Sequence, residues 1–190
     1  RLPFPSDIRT DANGHPVLTG HASPGEVLGV DVSASYLRSV EQDVVGFALN
    51  SPLFFRTSYK INLGTLCLSS GSNYPVAKPA DVPVDEPDAE VFCTGEDPEP
   101  TVYLVNIDSL SAGYGEIVPV DADYNRDRGL YICQNWVGVA PQPGKPLRHN
   151  TTYALVVTTG LTARAGAVPI HARQFALMRA DDPPAEEGRS

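Results

Sequence analysis

Residues 147–166, LRHNTTYALVVTTGLTARAG, constrain the fold of this chain more than any other stretch. A leucine is followed by a short polar turn. A tyrosine then opens an alternating run rich in Thr and Val. Period-two alternation puts successive side chains on opposite faces of a strand, and β-branched residues fit that pleated geometry. A lone strand pairs none of its backbone donors and acceptors within itself, so the run needs partner strands. The rest of the chain offers them in short pieces, because 18 Pro and 16 Gly among 190 residues break it at close intervals, as many short strands joined by turns require. The expectation is a mainly β, antiparallel fold.

The remaining elements follow from local signals. Residues 2–20 carry the turn Asp11-Ala12-Asn13-Gly14, which predicts a hairpin at the N-terminal edge. In residues 32–45 the side chains Val32, Tyr36, Leu37, Val40, Val44 and Val45 fall near helical spacing. With Asp31 or Ser33 as cap, this predicts one short amphipathic helix. Strands are expected at 50–59 (opened by Pro52), 63–69 and 101–108. They continue at 116–124, within 130–140 and at 151–159, with a last one at 168–170. Pro119 lacks an N–H and belongs at an edge or bulge. Residues 173–178 read as a short helical or extended finish. Residues 71–100 are rich in Pro, Asp and Glu and form a long irregular loop, a feature that is often functional. One domain over 1–179 and an acidic tail or linker over 180–190 complete the organisation.

Charge narrows the partners. The formal net charge is −9 and the isoelectric point about 4.8. Binding nucleic acid or an anionic membrane surface needs clustered Lys and Arg, and none occur. No apolar run approaches the roughly 20 residues of a transmembrane helix. The opening Arg1-Leu2-Pro3-Phe4-Pro5 reads as the start of a mature secreted form or of a piece of a longer chain. The chain has three cysteines. Cys67 and Cys93 flank the irregular loop, and a disulfide between them would staple its base, worth about 3–4 kcal/mol by loop-closure entropy. The alternative is three reduced thiols in a reducing compartment. Cys133, in the apolar run GLYICQNW, is expected as a buried small hydrophobe.

Leu147, Thr151-Thr152-Tyr153, the alternating Leu155 and Val157, Gly160 and Ala165-Gly166 together resemble the C-terminal half of bacterial Ig-like domains. There a tyrosine corner precedes a strand and a glycine turn leads to the last one. Arg148-His149-Asn150 replaces the Pro-Gly turn usual in that family, while Tyr153 is retained. The opening Pro3-Phe4-Pro5-Ser6-Asp7, the turn ending at Gly14, and Ser51-Pro52 are similar to the N-terminal domain preceding the catalytic domain of bacterial surface lipases and related cell-envelope lipoproteins. The resemblance implies an Ig-like antiparallel β-sandwich with one short helix and a long irregular loop. It also implies an extracellular or cell-envelope location, with any lipid anchor outside this chain.

Few residues suggest chemistry. A serine nucleophile needs a strained turn between glycines. At Ser23 a histidine, His21, fills one glycine position, and Pro24 offers no N–H to an oxyanion. His15, His21, His149 and His171 lack metal-ligand spacing and read as exposed turn histidines. Asp121, Asp123, Asn125 and Asp127 alternate as the first ligands of a calcium loop do. Arg126 stands where the turn glycine belongs, and Ile132 where the closing Glu belongs. The competing reading is a polar hairpin turn with Asp–Arg pairs. The acidic run over 81–99 is a solvated surface open to a basic partner. Tyr131 and Trp136 are expected as core aromatics rather than a carbohydrate platform.

The sum is a non-catalytic accessory or interaction module that holds the loops 71–100 and 121–129 toward an adjacent domain or a cell-surface protein. No cofactor other than calcium is suggested. The alternatives are a substrate-access domain of a lipase or esterase whose catalytic part lies outside this chain, and a calcium- or glycan-binding module.

Overall fold

A computed structural model describes residues 4–21, 25, 29–69, 99–129 and 133–164. At the N-terminal side, Asp11 organises the expected turn. Its Oδ1 accepts the backbone N–H groups of His15 at 2.9 Å and Asn13 at 2.8 Å. Gly14 follows at φ 85°, a left-handed conformation that favours glycine. Thr10 bridges Pro16 antiparallel across this turn. The two donors, His15 foremost, hold the Asp11 carboxyl below its ordinary range.

Helix α1 (Val32–Asp43) is capped by Asp31, whose carboxylate accepts from the Ala34 N–H at 2.8 Å. It buries none of its residues, and Val32 and Tyr36 are 70% and 68% exposed. Hydrogen bonds tie it to the N-terminal segment, while Leu37 and Val40 are half-buried. Glu41 accepts from the Leu18 N–H at 2.6 Å, and just past the helix His15 Nδ1 lies 2.9 Å from the Val44 carbonyl.

Two three-stranded antiparallel sheets follow. Strands β1 (Leu53–Arg56), β4 (Val120–Asn125) and β5 (Trp136–Pro141) form one sheet in the order β1-β5-β4. Strands β2 (Val102–Asn106), β3 (Ile117–Val118) and β6 (Tyr153–Val157) form the other in the order β3-β2-β6. Phe4 adds an antiparallel bridge to Phe54 on the free side of β1. Both sheets feed one core: Val102 and Leu104 from β2, Val120 and Tyr124 from β4, and Val137 and Val139 from β5. Ile61, Leu66 and Leu161 close it from the connections. The architecture is therefore a β-sandwich, with the helix outside it.

Pro119 does more than mark an edge. β3 and β4 are separated by this one residue and lie in different sheets. With no N–H to pair and φ held near −65°, proline suits a crossover, and its carbonyl is satisfied by the Gln142 N–H at 3.0 Å. The strand expected at 63–69 is instead a 3₁₀ turn, Leu63–Thr65, with one parallel bridge from Leu68 to Val102. Asn62 explains the change: its side chain accepts from the Gly64 N–H and its carbonyl from the Thr65 hydroxyl, so local bonds replace a ladder. The loop expected at 71–100 falls almost wholly outside the described residues, as do the elements expected at 168–170 and 173–178 and the tail at 180–190.

Candidate interaction surfaces

The corner at residues 147–153 is held by its own polar groups. The Tyr153 hydroxyl accepts the backbone N–H of Arg148, five residues upstream, at 3.0 Å. The Leu147 N–H donates to the Leu49 carbonyl at 3.0 Å. Both side chains also pack against the core. Asn150 takes φ 46° in the turn, a conformation asparagine tolerates better than most residues. From this corner Arg148 Nη2 reaches Glu116 Oε2 at 3.0 Å. With both side chains about half exposed, the pair contributes at most about 1 kcal/mol, but it ties the corner to the neighbouring β2–β3 loop.

That loop, residues 107–116, is wired from a buried asparagine. Asn106 is 1% exposed. Its Nδ2 donates to Ser111 Oγ at 2.8 Å and its Oδ1 accepts from the Asp108 N–H at 3.0 Å. Asp108 in turn accepts from the Leu110 N–H at 2.9 Å, and Ser111 Oγ from the Gly113 N–H at 3.3 Å. The Gly115 N–H returns to the Asn106 carbonyl at 2.8 Å. Held on this frame, Leu110 is 95% exposed and Tyr114 65%. The site is missed when the sequence is read by apolar periodicity. Its cue in the sequence is the leucine inside the Asn/Asp/Ser turn cluster NIDSLSAGYG.

The two sheets differ on their outer faces. On the β1-β5-β4 sheet, Phe54 pairs with Gly138 and Gly138 with Asp123; Arg56 pairs with Trp136 and Trp136 with Asn125. Trp136 is thus not a core residue. Val137 and Val139 take the inward positions on β5, and Trp136 packs edge-to-face on Phe54 with ring centroids 5.3 Å apart. Both rings lie over Gly138, where a Cβ would come within 3.0 Å of Phe54 and 3.1 Å of Trp136. The buried indole N–H of Trp136 has no hydrogen-bond partner among the described residues. Tyr131 lies outside them.

Of the four residues expected to curl around calcium, Asp121, Asp123 and Asn125 stand on the extended strand β4. Their side chains leave one face in a row, about 7 Å apart at the backbone, instead of converging on an ion 2.3–2.6 Å from each oxygen. Asp121 accepts from Gln142 Nε2 at 3.3 Å. Asn125 Oδ1 accepts the Asp127 N–H at 2.9 Å, and Asp127 lies 3.7 Å from Arg126 Nε. Residues 121–125 are strand rather than loop, while 126–129 begin the connection that turns β4 back antiparallel onto β5, with the Arg126–Asp127 pair in it, as the polar-turn reading of 121–129 expects. Among the described residues, no group of three or more His, Cys, Asp or Glu is placed to hold a metal ion.

The cysteines divide. Cys67 is 4% exposed and is engaged as a disulfide cysteine, while Cys93 lies outside the described residues. Cys133 is a free thiol and exposed, contrary to the expected burial. The apolar run around it pointed to a strand, but the strand begins only at Trp136. Ser23 and His171 also lie outside the described residues. Among these residues no helix is long and apolar enough to cross a membrane. No protein-family model matches the chain, and neither the curated proteins nor the solved structures contain a match to it.

Proposed function

We propose that the chain is an Ig-like β-sandwich acting as a non-catalytic interaction module of a secreted or cell-surface bacterial protein. The strand order supports the Ig-like reading. Ig sandwiches set strands A-B-E-D against G-F-C, with C′ added beside C in some. Here β1-β5-β4 stands in the place of B-E-D and β3-β2-β6 in the place of C′-C-F. The Phe4–Phe54 bridge stands where A meets B. The tyrosine that opens β6 bonds back to the turn before it, as the corner tyrosine of strand F does. In this reading Cys67 pairs with Cys93, which fits an oxidising compartment.

The observation that carries the functional half is the loop that holds Leu110 in water. Its backbone is fixed by a buried asparagine and successive side-chain bonds, so ordering costs are met before any partner arrives. Burying a leucine side chain returns about 2 kcal/mol. A photo-crosslinking amino acid at position 110, in cells making the full-length protein, is expected to form covalent protein adducts. The same probe at position 123, on the opposite sheet, serves as the comparison. Position 110 yielding no more adduct than 123 overturns the reading. Hydrolysis of short-chain esters by the chain alone overturns its non-catalytic part.

One observation favours a second reading, a glycan-binding face. Phe54, 38% exposed, and Trp136 sit outside the core beside Asp123, Asn125 and Arg56. Trp136 is the single tryptophan, so its fluorescence reports on that face directly. A saturable change on titration with neutral oligosaccharides supports the second reading; a flat titration removes it.

A further inference from the structure

We propose that Asn150 is an N-glycosylation site, whose side-chain amide takes a sugar from a phosphate-activated donor. The site rests on the chain being secreted or cell-surface, as proposed above, and on neither interaction face. Asn150-Thr151-Thr152 is an Asn-x-Thr acceptor sequence with no proline in the middle. No other asparagine of the chain has Ser or Thr two positions on. A transferase of this kind reads two groups, the amide that it modifies and the hydroxyl two residues later.

Three residues alone are a weak signal, and the fold supplies what they lack. Asn150 and Thr152 are both exposed. Neither side chain makes a hydrogen bond among the described residues, so the amide donors of Asn150 and the hydroxyl of Thr152 are uncommitted. Thr151 between them is used inside the turn, where its hydroxyl donates to the His149 carbonyl at 2.9 Å. The bonds that hold the corner use other groups. The Arg148 N–H goes to the Tyr153 hydroxyl, and the Thr152 carbonyl accepts the Ile107 N–H at 3.0 Å. A sugar on Asn150 therefore breaks no contact of the folded chain. Asn106 and Asn135 show the contrast: they are 1% and 3% exposed and their side chains are bonded inside the core, where a sugar would prevent folding. Two positions before the acceptor stands Arg148, paired with Glu116. Recognition thus rests on amide and hydroxyl, without an acidic residue ahead of them.

In the transfer, Asn150 Nδ2 attacks the anomeric carbon of the donor sugar. The new N–C bond forms as the bond from that carbon to the phosphate oxygen breaks. The phosphate carrier leaves with the electron pair, and the nitrogen gives one proton to a base on the transferase. The donor is an oligosaccharide on a lipid diphosphate or a single hexose on a nucleotide diphosphate, and both present the same activated carbon.

Mass spectrometry of peptide 149–164, released by trypsin from the full-length protein of the cells that make it, tests this. The peptide is expected to carry added sugar mass. That mass is lost in Asn150→Gln and in Thr152→Ala, each confirmed as folded by circular dichroism, and kept in Thr152→Ser. An oligosaccharide identifies the lipid-linked donor and a single hexose the nucleotide-linked one; either supports the site. A peptide found only at its unmodified mass overturns the proposal. So does sugar that persists in Asn150→Gln or in Thr152→Ala. An unmodified peptide from exported protein defeats the site alone, whereas protein recovered only from the cytosol defeats the secreted or cell-surface reading beneath it.

Discussion

Asn106 shows how much a single buried amide can organise. Both ends of its side chain are used, one by Ser111 and one by Asp108, so truncation strands two partners. Asn106→Ala is expected to lower unfolding free energy by about 1–3 kcal/mol, read from the denaturant midpoint. It should also speed amide exchange at Leu110 and Gly113. A loss under about 0.5 kcal/mol, the range of ordinary surface substitutions, would show that the loop does not depend on it. Tyr124 makes a second prediction. Its hydroxyl donates to Asn135 Oδ1 at 3.2 Å and accepts from the Ile61 N–H at 3.4 Å. Burial raises its pKa above the ordinary value of about 10. A folded pKa above the unfolded one means the folded state holds the proton more tightly. The associated stability is fully present below about pH 10 and is lost as pH climbs toward the folded value. Tyr124→Phe is expected to flatten that alkaline decline in a series of melts. An unchanged alkaline slope would remove Tyr124 as its source.

At the scale of elements, β4 acquires a different meaning from the one its sequence suggests. The alternation Asp121, Asp123, Asn125 resembles the start of a calcium loop, yet the strand keeps the residues in a row. Among the described residues β4 ends its sheet, and charges on an edge strand discourage pairing with another chain. Asp121→Val combined with Asp123→Val is expected to leave the fold intact and raise light scattering on mild heating. Equal scattering from wild type and double variant would count against an edge guard. Helix α1 was legible because its cap is local: Asp31 lies three residues before the N–H it accepts from. Its lack of buried residues was not legible, because amphipathic spacing supplies a face without saying whether anything covers it. The facing of β5 was equally hidden. In Trp136-Val137-Gly138-Val139-Ala140 both parities are apolar, so period-two alternation cannot choose the inward one. The core took the valines, and the tryptophan went outside with Phe54.

At the scale of the molecule, a disulfide at Cys67 bears on both compartment and stability. If Cys67 pairs with Cys93, alkylation of the unreduced protein in denaturant is expected to label Cys133 alone. All three cysteines label after reduction. Reduction should then cost about 3–4 kcal/mol from the loop released. Labelling at Cys67 without reductant would return the chain to a reducing compartment. The sandwich also separates its roles: charge and an aromatic pair lie outside one sheet, apolar residues outside the other, and a wired loop at the end of the second. Crossing between sheets at Pro119 makes this separation possible with only one residue between β3 and β4.

The sequence by itself determined the features that short-range sterics and hydrogen bonds control. These are β-strands at 102–106 and 153–157 within their expected spans, the turn at Asp11–Gly14, the Asp31 cap and the polar corner before Tyr153. Each depends on neighbours a few residues away, whose conformational preferences are set before the chain collapses. Only the tertiary structure decided which sheet each strand joined, which parity of β5 faced inward, and that Leu110 would stand in water. Those outcomes depend on burial shared among residues tens of positions apart. Packing of Val102 and Leu104 against Val137 and Val139 is a property of two sheets meeting, and no local period encodes it. The tyrosine corner is where the two kinds of information join: its hydrogen bond is local, while the sandwich it closes is not.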